Sequence, residues 1–169
     1  QLNLKQILSA FLVFREEVIT RRTLFELGKA RERAHLLLGL SVAVANIDEI
    51  ISLIRKSPNP NEAREQLMAK PWPADDIGGF IAAIGEVQSK LSPEFYQLSE
   101  AQARGILELR LQRLTALERD KIADELQELT GQIEDFLDIL RSRERLLYYC
   151  ESLLRVLTVG DVAEVHELC

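Results

Sequence analysis

The side chains of this chain that can act as nucleophiles, bases or metal ligands are few and stand far apart. The two histidines are His35, within an apolar stretch of helical spacing, and His166, near the end of the sequence. The two cysteines, Cys150 and Cys169, fit neither a CxxC pair nor the ligand set of a zinc site. We therefore interpret His35 as a histidine of a helix surface or seam, and Cys150 as a small residue of a helix seam.

Neighbouring acids and tyrosines are the remaining candidates for chemistry. Adjacent residues on a helix point in different directions, so we expect Asp75-Asp76 and Glu16-Glu17 to be solvated rather than to act as a paired acid and base. Tyr148 and Tyr149 have no flanking base, and we expect one of them to pack near the base of a long helix. Because phosphate-loop, GxSxG and HExxH motifs are absent from the sequence, we predict no catalytic, cofactor-binding or metal-ligating residue.

The composition favours long helices. Charged residues make up 28% of the 169 residues and aromatic residues 6%, which argues against a β-sandwich or barrel. A hydrophobic content of 47% argues against disorder, and a net charge of −6 weighs against a dedicated nucleic-acid-binding domain. The cysteine usage fits a reducing compartment, and no apolar run is long enough to predict a transmembrane helix. Since the chain opens on Gln1 with its apolar period already under way, we expect a fragment of a longer protein.

Apolar spacing predicts two long helices that pack against each other. The first should run from Asn3, a suitable N-cap, to about Asn46, and the second from about Ala116 to about residue 157. Apolar steps that alternate between three and four residues are typical of a coiled coil, and about 40 such residues give a helix of about 60 Å. The expected seam comprises Leu27, Ala34, Leu37, Ile122, Leu126, Leu129, Ile133, Phe136 and Leu140.

The second long helix carries one irregularity. Arg143 stands where the next apolar residue is due, and the pattern resumes at Leu147. Residues 158–169 have no apolar period, so the sequence assigns this tail no structure.

Prolines and helix caps divide the middle of the chain into short helices. Asp48-Glu49 favours a helix start, because negative charge stabilises the positive end of the helix dipole. Asn61 is expected to cap a second helix, and Asp75-Asp76 to begin a third.

Two further local signals lie in the same region. Pro71-Trp72-Pro73 predicts a break, at which the tryptophan pins the loop onto a core. Ser99 followed by Gln102 predicts a capping box at the start of the last short helix.

Together these patterns predict an all-α fold, in which a long antiparallel two-helix coiled-coil arm carries a small globular helical head at its tip. We expect the outgoing helix at residues 1–46, the head at 47–115, the returning helix at 116–157 and the tail at 158–169.

A basic cluster lies on the outgoing helix. Acids at helical spacing, such as Glu17 for Arg21 and Glu26 for Lys29, favour a solvated face of ion pairs. The alternative is a weak lining for a passing DNA duplex. The cluster comprises Arg15, Arg21, Arg22, Lys29, Arg31 and Arg33.

Several stretches of the sequence resemble a known family. They are FLVFREEVITRRT from Phe11, FELGKARERAH from Phe25, NIDEII from Asn46 and LSEAQARGILELRLQRLT from Leu98. Through them, residues 2–155 resemble the A subunits of the bacterial type IIA DNA topoisomerases, which include DNA gyrase and topoisomerase IV. The segment at Pro71-Trp72 is more similar to gyrase.

The resemblance implies a function. In that family this region is a coiled coil with a small dimerisation domain that forms the exit gate (C-gate) for the transported duplex during ATP-dependent supercoiling. The nucleophilic tyrosine of the family precedes this region, so the chain is expected to be no enzyme by itself and to hold no cofactor. The complete enzyme would use ATP and Mg²⁺ in the bacterial cytoplasm, at the nucleoid. Its partners would be a second copy, through the head, together with double-stranded DNA and the gyrase B subunit, with no membrane involved.

The resemblance also suggests where the dimer interface lies. We expect it at Ser99, Gln102, Ala103, Ile106, Leu107 and Arg110. Two alternatives stay open: a structural coiled-coil spacer or dimerisation module unrelated to DNA, and the equivalent region of the topoisomerase IV A subunit. A small helical enzyme with a site in the head is a further rival, which the scattered histidines, cysteines and acids oppose.

Overall fold

The longest helix among the described residues begins at Leu4. The computed structural model describes residues 3–74, 80–81, 84, 90–92, 95–109 and 116–148. The first helix, α1, spans Leu4–Ala45 and has 42 residues, so it is about 63 Å long. Asn3 Oδ1 accepts a hydrogen bond from the Gln6 N–H (2.8 Å), and the Gln6 side chain accepts one from the Asn3 N–H (2.9 Å). Because this reciprocal pair satisfies two N–H groups at the helix end, the predicted cap at Asn3 is confirmed.

The chain turns sharply at the end of α1. Asn46 Nδ2 donates to the carbonyl oxygens of Val42 (2.9 Å) and Pro73 (3.1 Å). Helix α2, Ile47–Lys56, then leaves at a bend of 90° and carries Asp48 and Glu49 in its first turn, as predicted. No single helix in the described part of the chain is long and apolar enough to cross a membrane. Only α1 and α2 taken together, as this bent pair, have the length and composition for it.

The next helix begins earlier than predicted. Helix α3 spans Pro60–Ala69, and the side chain of Asn59 caps it by accepting from the Glu62 N–H (2.9 Å). The prediction that Asn61 is the cap is therefore wrong. Proline suits the first helical position, because its φ is already helical and no N–H is needed there. Pro60 therefore starts the helix before Asn61 is reached.

A three-stranded antiparallel sheet includes the segment at which the sequence predicted a break. Its strands are β1, Pro71–Pro73, β2, Lys90–Ser92, and β3, Phe95–Gln97, in the spatial order β1-β3-β2. β1 lies at the edge of this sheet, where prolines are tolerated because the outward side of the strand needs no N–H donor. The sequence pattern therefore concealed a short edge strand.

Two buried aromatic residues attach the sheet to the helices. Trp72 on β1 pairs in register with Tyr96 on β3, and both side chains are 0% exposed. Trp72 Nε1 donates to the carbonyl oxygen of Leu67 in α3 at 2.9 Å. The prediction that Trp72 pins its segment onto a core is therefore confirmed.

Two helices of unequal length follow the sheet. α4 spans Glu100–Leu107 and α5 spans Ala116–Arg141. The returning helix, which the sequence predicted as one continuous segment, is interrupted at Ser142. The Ser142 hydroxyl accepts from the Arg145 N–H (3.3 Å), and residues 143–148 are helical again.

The interruption changes which face of the helix is covered. Serine caps helices well because its side chain competes for the backbone N–H groups, so Ser142 restarts the helix instead of continuing it. Leu146 is consequently buried, whereas Leu147 is 38% exposed. The prediction that the apolar pattern resumes at Leu147 is therefore wrong.

The chain divides into two compact units, residues 1–28 with 135–169 and residues 29–134. In the first unit Ile19, Ile139 and Leu146 form a buried cluster. The described residues are predominantly helical, so the all-α class is confirmed. The coiled-coil pairing and the predicted boundaries at 46, 115 and 157 stay predictions. The fully buried large side chains of the second unit include Leu37, Leu38, Ile50, Leu67, Trp72, Tyr96, Gln102, Leu126 and Ile133.

Candidate dimerisation surface

The predicted capping box at the start of α4 is confirmed. The Ser99 hydroxyl accepts from the Gln102 N–H (3.2 Å), and Gln102 Oε1 accepts from the Ser99 N–H (2.9 Å). This motif satisfies two N–H groups that the helix leaves unpaired, and so it fixes where α4 begins. The Gln102 side chain is only 1% exposed, so its amide hydrogens need acceptors inside the protein.

The amide of Gln102 links α4 to α1 and β3. Its Nε2 donates to the His35 carbonyl oxygen at 2.7 Å and to the Tyr96 hydroxyl at 2.8 Å. The His35 ring shares a hydrogen bond with the Ser99 hydroxyl through Nε2 (2.7 Å), and its Nδ1 lies 3.4 Å from Gln102 Nε2. His35 is thus a half-buried member of a polar network that holds three elements together. Nothing in the local sequence around His35 indicates these distant partners.

Helices α1 and α4 approach each other closely at Gly39. A Cβ added there would lie 2.6 Å from Cγ, 2.7 Å from Cβ and 2.9 Å from Cδ of Gln102. Only a residue without a side chain fits at such distances, so Gly39 is needed for the polar network. By contrast, an added Cβ at Gly28 or Gly131 meets nothing within 4 Å. In the sequence, Gly39 is recognisable only as a residue of low helix propensity within α1. Its packing role against Gln102 cannot be recognised there.

Of the six residues predicted to face a partner, three are buried in the single chain, two are half-buried and one is not described. Gln102, Ala103 and Ile106 are 1%, 0% and 5% exposed in the single chain, so their side chains belong to its interior. Ser99 and Leu107 are half-buried, and Arg110 lies outside the described residues. The interface stays a prediction. In this packing, a partner can reach Ser99 and Leu107 but not the three interior side chains.

A groove that no sequence pattern predicted lies between α2 and α4. Its volume is about 280 Å³, and Arg55 is the one charged residue among the described residues that line it. Isoleucines at positions 47, 51 and 54 follow helical spacing, which is the signal that predicts an apolar face on α2. The groove is lined by Ala43, Ile47, Ile50, Ile51, Ile54, Arg55, Ile106, Leu107 and Leu109.

A second depression also borders α2. Its volume is about 380 Å³, and it is more polar than the groove. Because both depressions include Ile51 and Arg55, the surface around α2 is recessed at two places that meet at these residues. The second depression is lined by Asp48, Ile51, Ser52, Arg55 and Lys56.

The predicted seam residues are all at least half-buried. Leu27, Ala34, Leu37, Leu126 and Ile133 are buried, whereas Ile122, Leu129, Phe136 and Leu140 are half-buried. Their assignment to one coiled-coil seam stays a prediction.

An ion pair joins α1 to α5 within the unit of residues 29–134. Arg33 donates through Nε and Nη2 to the two carboxylate oxygens of Glu125, at 2.7 and 3.0 Å. The hydrogen bonds from Arg33 to Glu125 raise the pKa of Arg33, although partial desolvation acts in the opposite direction. Of the rest of the basic cluster, Arg22 pairs with Glu26 at 2.9 Å, as expected of a solvated helix face.

The chemically capable residues are not gathered into a site by the described parts of the fold. Within the described ranges, no three His, Cys, Asp or Glu side chains are grouped so as to hold a metal ion. Tyr148 is 70% exposed, so it does not provide the packing predicted for one of the two tyrosines. Tyr149, Cys150, His166, Cys169 and Asp75-Asp76 lie outside the described residues.

Comparison with known proteins identifies the family. Residues 1–155 match the family of DNA gyrase and topoisomerase IV A subunits. Over 157 residues the chain is 50% identical to the DNA gyrase A subunit of Granulibacter bethesdensis, and the match covers 92% of this chain and 17% of that protein. It is 49% identical to the protein of the same description from Aeromonas salmonicida, over 86% of this chain and 17% of that protein. For the Salmonella typhimurium protein of that description the identity is 48%, over 86% of this chain and 18% of that protein.

The fold and the comparisons together define the class of protein. The chain is an all-α protein with one very long helix and a packed helical unit that carries a small sheet. It belongs to the family of DNA gyrase and topoisomerase IV A subunits. It spans less than a fifth of the length of the curated relatives it matches, at 17% of the Granulibacter protein and 18% of the Salmonella protein.

Proposed function

We propose that the chain is the coiled-coil arm and dimerisation head of a DNA gyrase A subunit, and that it forms the exit gate for the transported duplex. The observation that carries the proposal is the family match over residues 1–155, which includes α1, the short helices, the sheet and α5. The relatives reported above are all described as A subunits of DNA gyrase. This description supports gyrase over the topoisomerase IV alternative.

The proposed role is mechanical. Two heads meet across a two-fold axis, so the same surface of each copy contacts the other. This contact keeps the two halves of a cleaved duplex together while a second duplex passes, and it opens to release that duplex. The length of α1, about 63 Å, supports a gate held well away from the cleavage site.

The charge of the chain fits a region that encloses DNA but does not bind it tightly. The net charge is −6, and two cations of α1, Arg22 and Arg33, are already paired with carboxylates. Any contact with a passing duplex would therefore be weak and directed at the phosphate backbone. In this proposal the reacting groups, ATP, Mg²⁺ and the B subunit belong to the complete enzyme, which acts in the bacterial cytoplasm at the nucleoid.

The structural alternative is a coiled-coil spacer or dimerisation module unrelated to DNA. It requires the same long helix but gives no reason for the family match across the short helices and the sheet. The proposal accounts for all of these elements at once.

Sedimentation equilibrium of the 169-residue chain tests the proposal. We expect a species of twice the chain mass of 19.2 kDa at micromolar concentration. A chain that stays monomeric at tens of micromolar would overturn the exit-gate role. A second assay uses the complete gyrase-type protein that contains this region, with its B subunit, DNA, ATP and Mg²⁺. Supercoiling supports gyrase, whereas duplex passage without supercoiling supports the topoisomerase IV alternative.

A further inference from the structure

Two glycines lie inside the long helices α1 and α5 at positions where packing does not require them. A Cβ added at Gly28 or at Gly131 would meet nothing within 4 Å in the described part of the chain, and both residues are exposed. Glycine destabilises the interior of a helix relative to alanine. Gly28 and Gly131 therefore weaken α1 and α5 locally, unlike Gly39, which the close approach of Gln102 requires.

The two glycines stand at corresponding positions of the two helices. In the unit of residues 29–134, Arg33 of α1 pairs with Glu125 of α5 at 2.7 Å. Five residues before Arg33 is Gly28, and five residues after Glu125 is Thr130, the neighbour of Gly131. With the antiparallel pairing predicted above, the position of α5 that corresponds to Gly28 is therefore 130 or 131.

An ion pair in the other unit gives the same correspondence. Glu16 pairs with Arg143 at 3.4 Å within the unit of residues 1–28 and 135–169. Twelve residues after Glu16 is Gly28, and twelve residues before Arg143 is Gly131. The two counts start on opposite sides of the glycines and in separate units, and they agree to within one residue.

Two further features mark the same place. The Thr130 hydroxyl donates to the carbonyl oxygen of Leu126 at 2.8 Å, and a side-chain bond of this kind loosens and bends a helix. Helix kinks occur where glycine is combined with a small hydroxyl residue and where a side chain enters the backbone hydrogen bonds. The division of the chain into its two compact units also falls after Gly28 in α1 and after Glu134 in α5.

We infer that Gly28 on α1 and Thr130-Gly131 on α5 form a joint at which the two helices bend together. An ion pair links α1 to the returning segment on each side of this joint, so a bend in one helix has to be matched by a bend in the other. The interruption at Ser142 is different, because the glycines of α1 are Gly28 and Gly39 and neither corresponds to it. The joint is a property of the single chain and does not depend on the proposed function.

Distances within α1 test the inference. Spin labels at Glu17→Cys and Ala45→Cys, two exposed positions, lie on either side of Gly28 and are about 42 Å apart along a straight helix. The full 169-residue chain carries them in a Cys150→Ala, Cys169→Ala background. Dilution with unlabelled chain ensures that double electron–electron resonance reads only distances within one chain. We expect a broad distribution that extends to shorter distances, because α1 bends at Gly28.

Gly131→Ala gives the decisive measurement, because it stiffens α5 and leaves the labelled helix unchanged. If the two helices bend together, it should narrow the distribution measured along α1, whereas a gain in helicity confined to α5 should not. Gly28→Ala should narrow the distribution as well. It should also slow hydrogen exchange of the amides next to residue 28 about fivefold, because alanine removes the helix weakness of one glycine.

Gly105→Ala is the matched control, because a Cβ added to this glycine of α4 lies in ordinary contact, 4.0 Å from the Leu36 side chain. It should leave the distances within α1 unchanged. The joint is refuted if the parent distribution is as narrow as that of a rigid helix, if Gly131→Ala leaves it broad, or if Gly105→Ala narrows it equally. Circular dichroism verifies the fold of each variant. Sedimentation tests the proposed dimer separately, so either proposal can fail alone.

Discussion

The close approach of α1 and α4 predicts that Gly39→Ala destabilises the protein, although alanine is the better helix former. The added Cβ would stand 2.6 to 2.9 Å from three atoms of Gln102, and ordinary contact begins at 3.4 Å. One of the three atoms is the Cβ of Gln102, which no rotamer change can move away. The backbones of α1 and α4 must therefore separate by several tenths of an ångström at this point.

The size of the effect follows from the polar network. A shift of about 0.8 Å restores ordinary contact but stretches the hydrogen bonds from Gln102 to the His35 carbonyl and the Tyr96 hydroxyl, now 2.7 and 2.8 Å, to the limit of a hydrogen bond. Overpacking costs about 1–3 kcal/mol, and each weakened hydrogen bond about 1 kcal/mol. The higher helix propensity of alanine offsets about 1 kcal/mol of this loss. We expect the free energy of unfolding to fall by about 2–4 kcal/mol.

Urea unfolding followed by tryptophan fluorescence measures this change. Trp72 is the single tryptophan of the chain, and it lies in the same unit as Gly39. Gly131→Ala is the matched control, because it is a helical glycine of that unit with nothing near an added Cβ. It should stabilise the protein by about 0.5–1 kcal/mol. A Gly39→Ala variant as stable as wild type would refute the close-approach argument.

Four further outcomes are expected from the contacts. Gln102→Leu should lower the free energy of unfolding by about 2–3 kcal/mol in urea titration, because it leaves Ser99 N–H and the His35 carbonyl without their partner; an unchanged midpoint would contradict this role. The fluorescence maximum of buried Trp72 should lie at a shorter wavelength in the native protein than in the unfolded protein. Trp72→Phe should lower the free energy of unfolding by about 1–3 kcal/mol, measured by thermal unfolding, since the hydrogen bond to the Leu67 carbonyl oxygen is lost. A double-mutant cycle on Arg33 and Glu125 should give a coupling of about 0.2–1 kcal/mol that weakens in about 1 M salt, because the two side chains are about half exposed.

The parts of the fold that depend on neighbours in the sequence could be predicted. The caps at Asn3 and Ser99 are specified by a partner three residues away, and Asp48 and Glu49 mark a helix start without reference to the rest of the chain. The length of α1 follows from an apolar pattern that runs without a proline to Ala45. These features are local, and the residues that determine them are adjacent in the sequence.

The parts of the fold that depend on partners distant in the sequence could not be predicted. Whether Pro71-Trp72-Pro73 is a break or a strand depends on Tyr96 and its neighbours, far along the chain. The network of His35 and Gln102 likewise joins residues 67 positions apart. The residue that caps α3 could not be predicted either, because Asn59 and Asn61 are both able to cap a helix. Only the preference of Pro60 for the first helical position selects Asn59.

The ion pair between Arg33 and Glu125 would make it easier for α1 and α5 to slide past each other in one direction than in the other. A slide of α1 along α5 by one helical turn, about 5.4 Å, replaces the partner of Arg33 by a residue near Lys121 in one direction and near Glu128 in the other. The first register opposes two cations, whereas the second restores an attraction. In the proposed gate, strain along these helices would therefore be relieved slightly more easily toward Glu128 than toward Lys121, because an exposed ion pair contributes about 0.2–1 kcal/mol.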